Sequence, residues 1–335
     1  MSLYAAAHAN PQGIGDARPT ALQIVQDNDM EGKLVDKTAV VTGVSSGVGI
    51  EIVRALAATR ATLILTARNL EKAQAALADI YKPDTMHFVH MDQSSLSSVR
   101  TAGKEILTKT DNKISLLIGN AGVMALQERT LTEDGYEAQF ATNHLSHFLL
   151  FHLLRPALLA GSTPDFHSRI VLLSGSVHRI KGLNNADNYH FEKGGYDPWT
   201  AYAQSKTANT YMANELERRY GSRGLHATSA HPGNIPTGLV RHLPKEQIEA
   251  MKNPTYLPIL KSPAQGAATP LVAAVGKEWE GRGGKYLANC VEAPVGEDDG
   301  DIFNPKTSSV TYNPKDEARL WADSLKMVGL PDDED

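Results

Sequence analysis

Short runs of β-branched and apolar residues alternate along this chain with longer helical stretches, beginning at Lys37. The runs TAVVTG, ATLILTAR and HFVHMD are separated by IEIVRALAAT and LEKAQAALADIY, and the alternation continues through SLLIGNAG, RIVLLSGS, LHATSAHPG and GGKYLANC. Strands that alternate with helices pair in parallel and are covered by helices on both faces. The pattern therefore predicts a single α/β domain with a doubly wound parallel sheet over residues 33–325.

Four segments interrupt or flank this alternation. Residues 1–32 lack a basic start followed by an unbroken apolar run, so we interpret them as a loose N-terminal arm and not a secretory signal. Residues 326–335 are interpreted as an acidic C-terminal tail. Residues 178–199 are rich in Gly, Asn and aromatic residues, and residues 236–263 are broken by prolines. Long excursions at the carboxyl ends of parallel strands are where ligands bind, so both are predicted to wall a substrate pocket, the second as a lid.

Composition excludes several classes of partner. The 335 residues are 41% apolar and 21% charged, with a formal net charge of −5, which offers no basic surface for nucleic acid or anionic lipid. The apolar stretch HFLLFHLLRPALLA is interrupted by Arg155 and Pro156 and is too short for a membrane span, so we expect a buried helix. The single cysteine, Cys290, cannot form an internal disulfide, which favours a reducing compartment, taken here as the cytoplasm.

A glycine-rich turn joins the first strand to the first helix. TGVSSGVG places Gly43, Gly47 and Gly49 there, with the spacing G-x-x-x-G-x-G. Glycine lets the backbone approach a pyrophosphate, and the helix N-terminus supplies N–H donors and a positive dipole end. An ordinary tight turn is the alternative, and the spacing departs from G-x-G-x-x-G, but the position between strand and helix favours a dinucleotide site.

AYAQSK places Tyr202 and Lys206 four residues apart, on one face of a predicted helix. A free phenol is a poor base at neutral pH, and a nearby ammonium lowers its pKa by favouring the phenolate. An incidental pair on a helix is the alternative. Tyr202 and Lys206 lie downstream of the glycine turn and after a strand that ends in serines, and this position favours a catalytic pair.

These motifs resemble those of the short-chain dehydrogenase/reductase family, which has the Rossmann fold. TGVSSGVG is similar to the family's T-G-x-x-x-G-x-G motif, and IGNAG is similar to N-N-A-G except that Gly119 replaces the first asparagine. The resemblance covers nearly the whole chain after residue 33 and implies a bound nicotinamide cofactor. The residues implied to hold it are Gly43, Ser45, Ser46, Gly47, Val48, Gly49, Asp92, Asn120, Ala121, Gly122, Tyr202, Lys206, Pro232, Gly233, Ile235 and Thr237. Asp92 would contact the adenine; a helix N-cap is its alternative role.

The resemblance also assigns chemical roles. Tyr202 would donate a proton to a substrate carbonyl, or remove one from an alcohol, while a hydride moves to or from the nicotinamide. Lys206 would also hydrogen-bond the nicotinamide ribose, and Asn143 would be the asparagine whose helix carries a water into the proton relay. His144 and His147 are spaced like metal ligands, but no third ligand is evident, so we expect packing or surface roles and no metal.

Charge at the end of the second strand indicates which cofactor is used. NAD enzymes place an Asp or Glu there to hold the ribose hydroxyls, and that carboxylate would repel a 2′-phosphate. This strand ends in TARN, with Arg68 and no acid. A guanidinium suits a phosphate because its planar fork donates two charge-assisted hydrogen bonds. Although a surface ion pair is the alternative for one arginine, we predict NADP (NADPH).

The serine expected at the end of the fifth strand is displaced. Relatives in the branch of retinol dehydrogenases and the WW-domain oxidoreductase read close to R-I-V-x-V-S-S-x-x-H, and the second serine orients the substrate carbonyl. RIVLLSGSVH, aligned without gaps, has Gly175 at that position. Either Ser174 or Ser176 takes over, or the site works without this hydroxyl. Ser174 is slightly preferred because it keeps the strand-end position, although strand alternation points it the other way.

The predicted function is an NADPH-dependent reductase, or the reverse dehydrogenase, acting on a ketone, aldehyde or secondary alcohol of an apolar small molecule. The predicted pocket walls, each of which has ordinary core packing as its alternative, are Met124, Leu183, Tyr189, Phe191, Tyr196, Trp199, Leu239 and Tyr256. Isomerase- or lyase-type chemistry on the same scaffold, and a catalytically silent NADP-binding protein, stay open as alternatives. A homo-oligomer built on helix faces is common in the family and is also open.

Overall fold

One mixed sheet organises residues 4–331, which are the residues that the computed structural model describes. Within them, eight strands lie in the order β3-β2-β1-β4-β5-β6-β7-β8, all neighbours being parallel except the antiparallel pair β7 and β8. The strands are β1 Thr38–Thr42, β2 Thr62–Ala67, β3 Met86–His90, β4 Leu116–Gly119, β5 Ser168–Leu173, β6 Leu225–His231, β7 Lys285–Ala288 and β8 Val291–Glu292. The predicted doubly wound α/β fold is confirmed, and β8, only two residues long, is the strand that the sequence pattern did not reveal.

The helices lie between and after these strands. They are α1 Ala5–Ala9, α2 Ala21–Asp27, α3 Val48–Ala58, α4 Leu70–Ala76, α5 Leu96–Lys109, α6 Ala138–Phe140, α7 Ser146–Gly161, α8 Pro198–Tyr220, α9 Lys245–Ala250, α10 Pro263–Gly266, α11 Ala268–Val275 and α12 Pro314–Met327, with a π-helix over Ala141–Leu145. The longest, α8, begins where Asp197 accepts a 2.7 Å hydrogen bond from the Thr200 N–H and where Pro198 occupies the first turn.

The sheet separates two apolar layers because successive side chains of a strand point to opposite faces. In β1, Ala39 and Val41 belong to the layer that also contains α2, α3 and α11, whereas Val40 belongs to the layer with α5, α7, α8 and α12. The strand order reverses beside β1, where β4 continues the sheet on the other side. The crevice at the carboxyl ends of β1 and β4 is thus the position where open α/β sheets bind ligands.

The N-terminal segment differs from the expected loose arm. Ala21, Ile24 and Val25 recur on one face of α2 and are buried against the first apolar layer. The Thr20 side chain caps this helix by accepting a hydrogen bond from the Gln23 N–H. This capped amphipathic helix therefore packs the N-terminal segment onto the domain. The helix has only seven residues, so its apolar periodicity is too short to be evident in the sequence.

The expected boundary near residue 325 also differs. Helix α12 packs along α8, its Trp321 contacts Phe148 of α7, and it runs through Met327. Val328 is buried and Leu330 packs against the same layer, so the ordered domain continues past the predicted start of the tail. Residues 332–335, the acidic end of that tail, lie outside the described residues.

No helix among residues 4–331 has both the length and the apolar character that a bilayer crossing requires. The apolar stretch that includes Arg155 and Pro156 forms most of α7, a helix of 16 residues. Its apolar side chains, including Phe148 and Phe151, are buried in the second layer.

Candidate active site

The turn after β1 has the geometry of an anion cradle. Gly43 and Gly47 have φ angles of 72° and 63°, in the region that favours glycine. A Cβ at Gly43 would lie 2.7 Å from the Ala121 Cα, and one at Gly47 would lie 3.2 Å from the Thr237 Cγ2. No described side chain caps α3 at its first turn, so its leading N–H groups are available. The residues present therefore fit the pyrophosphate of a dinucleotide.

Asn120 fixes the end of β4 against this turn. Its Nδ2 donates to the carbonyl oxygens of Thr42 at 2.8 Å and Gly43 at 3.0 Å. The Thr42 Oγ1 in turn accepts from the backbone N–H groups of Asn120 and Ala121, both at 3.0 Å. The two loops that were predicted to hold the cofactor are thus tied together directly. The predictions from sequence gave Thr42 no role, although it immediately precedes the first glycine.

A buried histidine extends this network. His147 Nε2 lies 2.8 Å from the Thr42 Oγ1, and its Nδ1 lies 2.9 Å from the Asn143 carbonyl oxygen. The Thr42 hydroxyl donates to Nε2 because it accepts two N–H groups already, so the imidazole carries its proton on Nδ1 and donates to Asn143. Burial lowers the pKa of His147 to about 4, which keeps it neutral. His144 is also buried, with Nε2 at 2.9 Å from the Ser324 Oγ, and no described group of three or more His, Cys, Asp or Glu residues could hold a metal.

Arg68 and Asp92 lie at the same edge of the sheet. Arg68 is exposed directly after β2, and it has no ion pair with any residue between 4 and 331. Asp92 follows β3, and its Oδ1 accepts from the Ser94 N–H at 2.9 Å and from the Ser94 Oγ at 2.7 Å. The N-cap of α5 is Ser95. Asp92 therefore shapes the turn before the helix and does not cap it.

Tyr202 and Lys206 stand one turn apart on α8, as predicted. Their residues are 8% and 5% exposed, and the Lys206 Nζ lies 5.5 Å from the centre of the Tyr202 ring. Burial lowers the pKa of Lys206 to about 8. Burial also raises the pKa of Tyr202, the opposite direction to the lowering that was expected from the lysine. The phenol therefore stays protonated at neutral pH, while the Lys206 ammonium donates to the Leu173 carbonyl oxygen at 3.0 Å.

Asn143 joins the strand-end loop to the Tyr202 helix. It lies in the π-helix, and its side-chain Oδ1 accepts from the Val123 N–H at 2.8 Å. Its Nδ2 donates to the Val123 carbonyl at 2.9 Å and to the Ser205 Oγ at 2.8 Å. A Cβ at Gly122 would lie 2.9 Å from the Asn143 Oδ1 and 3.6 Å from the Lys206 Nζ. The predicted Asn120–Gly122 segment and the predicted pair on α8 are therefore neighbours.

The serines on both sides of Gly175 have different partners. Ser174 Oγ donates to the main-chain carbonyl oxygen of Lys206 in α8 at 2.8 Å, and this hydrogen bond is buried. Ser176 Oγ donates to the Ile302 carbonyl oxygen at 2.5 Å. Gly175 has an extended backbone, and a Cβ there would lie 3.5 Å from the Val177 Cγ1 and 4.0 Å from the Lys206 Cγ. Each hydroxyl therefore already has an acceptor, that of Ser174 on the main chain of α8 and that of Ser176 on the loop that carries Ile302.

An apolar cluster surrounds Tyr202. Its buried members are Met124, Ala125, Val177, Tyr202, Ala203 and Leu243, and packed against them are Trp199, Leu239, Val240, Ile248, Met251 and Ile302. Three of the predicted pocket walls, Met124, Trp199 and Leu239, are therefore brought together. Leu183 and Tyr189 instead belong to the layer under α8, and Tyr256 stacks on Phe303 with ring centres 4.5 Å apart.

The loop that carries Ile302 was missed by the sequence predictions. It closes where Val295 pairs with Thr307, and we refer to residues 295–307 as the Ω-loop. Arg179 holds it from within, donating to the carbonyl oxygens of Glu297, Asp301 and Thr307 and pairing with Asp299. Asp299 thus has a structural partner in Arg179. The acidic composition of the segment is typical of a solvated loop, so the sequence did not indicate that it is ordered.

The segment after β6 carries the remaining predicted cofactor contacts. Gly233 has a φ of 100°, and a Cβ there would lie 2.7 Å from the Lys261 Cδ. Ile235 packs against Gly266 of α10, and Thr237 faces Gly47, as described above. Pro232 follows β6 directly. All of these residues lie at the same edge as the glycine turn, which agrees with one continuous cofactor crevice.

Comparisons with known proteins agree with this arrangement. The sequence model described as short chain dehydrogenase matches residues 37–248. The protein named short-chain dehydrogenase/reductase prx1 from Penicillium roqueforti is 46% identical over 329 residues, covering 98% of this chain and 95% of the relative. Retinol dehydrogenase 13 from Homo sapiens is 35% identical over 303 residues, covering 88% and 85%. A solved structure of an uncharacterized protein from Mycobacterium paratuberculosis has a TM-score of 0.66 and 28% identity, covering 89% of this chain and 95% of that chain.

Members of the matched family are oxidoreductases that use nicotinamide cofactors. The match spans the glycine turn, Asn143, and the Tyr202 and Lys206 pair, and two relatives exceed 30% identity over most of their length. This chain belongs to the short-chain dehydrogenase/reductase family, in its retinol dehydrogenase-like branch.

Proposed function

We propose that this protein is an NADP(H)-dependent oxidoreductase that transfers a hydride between nicotinamide and a ketone, aldehyde or secondary alcohol of an apolar small molecule. The observation that carries the proposal is the position of the pair on α8. The Lys206 Nζ lies beside Gly122 and 5.5 Å from the centre of the Tyr202 ring, and Ser205 between them accepts from Asn143, at the edge where the glycine turn leaves α3 uncapped. Cofactor cradle and proton donor therefore share one crevice.

The residues divide the reaction between them. When bound, the reduced nicotinamide supplies a hydride to the carbonyl carbon. Tyr202 donates its proton to the carbonyl oxygen, so the π component of the C=O bond is replaced by one new C–H bond and one new O–H bond. The reverse sequence oxidises an alcohol, with the oxidised nicotinamide as the hydride acceptor. Burial keeps this phenol protonated before the step, as a proton donor requires. The Asn143 carbonyl accepts from His147 and keeps a second lone pair, which a relay water can use to return the proton.

Two further side chains complete the proposed site. Ser176 supplies the hydroxyl that orients the substrate carbonyl, because its present acceptor, Ile302, lines the same apolar cluster as Tyr202. Arg68 binds the 2′-phosphate of NADPH, because it is exposed after β2 and its guanidinium fits a phosphate bidentately. The walls around Tyr202 are apolar, and retinol dehydrogenase 13 is named for an apolar alcohol; both favour an apolar substrate.

The test is the absorbance of NADPH at 340 nm in the presence of a panel of ketones and aldehydes. We expect oxidation that stops in Tyr202→Phe, while the NADPH affinity measured by cofactor fluorescence changes less than about threefold. Cofactor binding with neither oxidation of NADPH by any carbonyl nor reduction of NADP⁺ by any alcohol would reject the redox proposal.

The second candidate is isomerase- or lyase-type chemistry with the nucleotide as a structural group, or a silent NADP-binding protein. Gly175 is the observation that favours it, since the hydroxyl that polarises a carbonyl in relatives is absent there. Conversion of a carbonyl substrate without change in the NADPH spectrum would identify the isomerase or lyase, and binding without conversion would identify the silent protein.

A further inference from the structure

Arg18 is a buried cation outside the family's matched region. Its side chain is 3% exposed, and residues 37–248 are the ones that the family model covers. The guanidinium donates to a run of consecutive carbonyl oxygens in another part of the chain: Pro258 at 3.3 Å, Ile259 at 3.1 Å and Leu260 at 2.6 Å. Those residues lie in the predicted second substrate wall, residues 236–263; we refer to the part of it up to Leu260 as the 236–260 segment.

The charge of Arg18 is fully accommodated. Its Nε donates to the Asp16 Oδ1 at 2.8 Å, and its Nη2 also reaches the Gly13 carbonyl at 2.9 Å. Burial opposes ionisation of Asp16, but the hydrogen bonds from Arg18 and from backbone N–H groups outweigh it and lower the pKa of that carboxyl. A buried, paired guanidinium is costly to strip of its partners, because the remaining charge has no water to replace them. The three carbonyls are therefore held firmly.

Gln265 of α10 makes a second set of contacts with the N-terminal residues. Its Nε2 donates to the Asp16 Oδ1 at 2.9 Å, and its Oε1 accepts from the Gly15 N–H at 3.1 Å. Gln265 also closes the capping box of α10 with Ser262. Residues 13–18 therefore bind both the end of the 236–260 segment and the helix that follows it; we call them the arm clamp.

The arm clamp acts beside the cofactor crevice. The Lys261 N–H, one residue after the clamped carbonyls, donates to the Asn234 carbonyl at 2.9 Å, where Leu260 and Asn234 form a parallel bridge. Gly266, one residue after Gln265, packs so closely on Ile235 that a Cβ there would overlap it. Fixing residues 258–266 thus fixes both ends of residues 234–260.

We infer that Arg18 is a positioning residue, which holds the 236–260 segment closed over the substrate side of the crevice without touching the substrate. This inference rests on the proposed role of that segment as a substrate wall. Once the carbonyls of 258–260 lose the guanidinium, the segment samples open positions. Part of the substrate's binding free energy is then used to close the segment again, so the apparent affinity for the substrate falls. The KM for the carbonyl substrate is expected to rise about tenfold, with kcat within about twofold.

The experiment compares Arg18→Met with Arg169→Met. Arg169 is a matched control because its side chain is 4% exposed and it donates to the Gly276 carbonyl and pairs with Glu280, but it lies at the amino end of β5, opposite the crevice. Trypsin cleavage is followed at Arg241, Lys245 and Lys252, which are exposed on the proposed wall. Because this readout needs no turnover, it tests the arm clamp even if the redox proposal fails.

In Arg18→Met we expect cleavage at these three sites to be at least about tenfold faster, together with the rise in KM. In Arg169→Met, compared at a melting temperature equal to that of Arg18→Met, we expect neither effect. Arg18→Lys, which keeps the charge but not the planar fork, should restore part of the protection. Unchanged cleavage in Arg18→Met, or equal acceleration in Arg169→Met, would overturn the inference. If Arg18→Met does not fold, Asp16→Asn is used in its place, with the same expected direction and the same contrary outcomes.

Discussion

The Ser176 hydroxyl donates a 2.5 Å hydrogen bond to the main-chain carbonyl of Ile302, 126 residues further along the chain. Ile302 packs into the apolar cluster that contains Tyr202, so this hydroxyl reaches the rim of the proposed substrate pocket. A ketone is the same kind of acceptor as a peptide carbonyl. A substrate that displaces the Ω-loop tip can therefore take over the same donor.

The first prediction concerns which serine is used. Ser176→Ala should lower kcat/KM for carbonyl reduction by about 10- to 100-fold, since a polarising hydrogen bond is worth a few kcal/mol in the transition state. Ser174→Ala should leave kcat/KM within about threefold, because that hydroxyl serves the Lys206 carbonyl. Steady-state kinetics of both variants decide the matter. Full activity in Ser176→Ala, or a larger loss in Ser174→Ala, contradicts the assignment.

The second prediction concerns the residue between them. Gly175→Ser should fold normally, because the backbone at Gly175 is extended and an added Cβ meets nothing closer than 3.5 Å. The new hydroxyl would face the Lys206 side chain, so kcat/KM for carbonyl reduction should rise severalfold. Gly175→Ala is the control for the Cβ alone and should give no increase. An increase of equal size in both variants would attribute the effect to packing.

The third prediction concerns cofactor choice. Arg68→Ala should raise the KM for NADPH by about 10- to 100-fold, in line with the loss of charge-assisted hydrogen bonds, and leave the KM for NADH nearly unchanged. Lys82, an exposed cation before β3, provides the control: Lys82→Ala should affect neither cofactor. Equal losses with NADPH and NADH would show that Arg68 does not read the phosphate.

The fourth prediction concerns acid sensitivity. Burial lowers the pKa values of His144 and His231 to about 3 and of His147 and His178 to about 4. Unfolded histidines bind protons below about pH 6.5, and these buried ones do not, so the unfolded state gains protons as pH falls. Stability is therefore fully present above pH 6.5 and is lost progressively as the pH falls from there to about 3, the lowest of these folded-state pKa values.

Urea unfolding at several pH values measures this loss. His144→Gln should reduce the slope of unfolding free energy against pH by about 1.4 kcal/mol per pH unit, the value for one proton. The matched control is His90→Gln, at an exposed position. A slope in His144→Gln that equals the unmodified protein's would mean that His144 takes up a proton in the folded state.

The sequence predicts those parts of the molecule whose signal is local. Strands β1 to β7 are runs of apolar residues bounded by turns, and the four-residue spacing of Tyr202 and Lys206 places them on one helix face. The direction of the Tyr202 pKa shift was not accessible, because it is set by burial of the phenol among segments from distant parts of the chain. Helix periodicity does not report how completely such segments cover one side chain.

Contacts between distant segments left no local pattern. Arg179 orders the Ω-loop, yet it stands in a stretch that reads as a turn, and the loop itself is acidic. Likewise the N-terminal residues from Gly13 to Arg18 contain glycine, aspartate and arginine, a composition typical of solvated chain. Arg18 and Arg179 also donate to main-chain carbonyls more than a hundred residues away, so only the folded structure shows that these cations are buried and paired.

The arm clamp also sets an order in which the molecule can be completed. Arg18 and the Leu260 carbonyl are separated by 242 residues, and Gly15 and Gln265 by 250. During synthesis from the N-terminus, the guanidinium emerges early and stays hydrated until residues 258–265 have left the ribosome. In a nascent or truncated chain that lacks either set of partners, the 236–260 segment is without the contacts from Arg18 and Gly15.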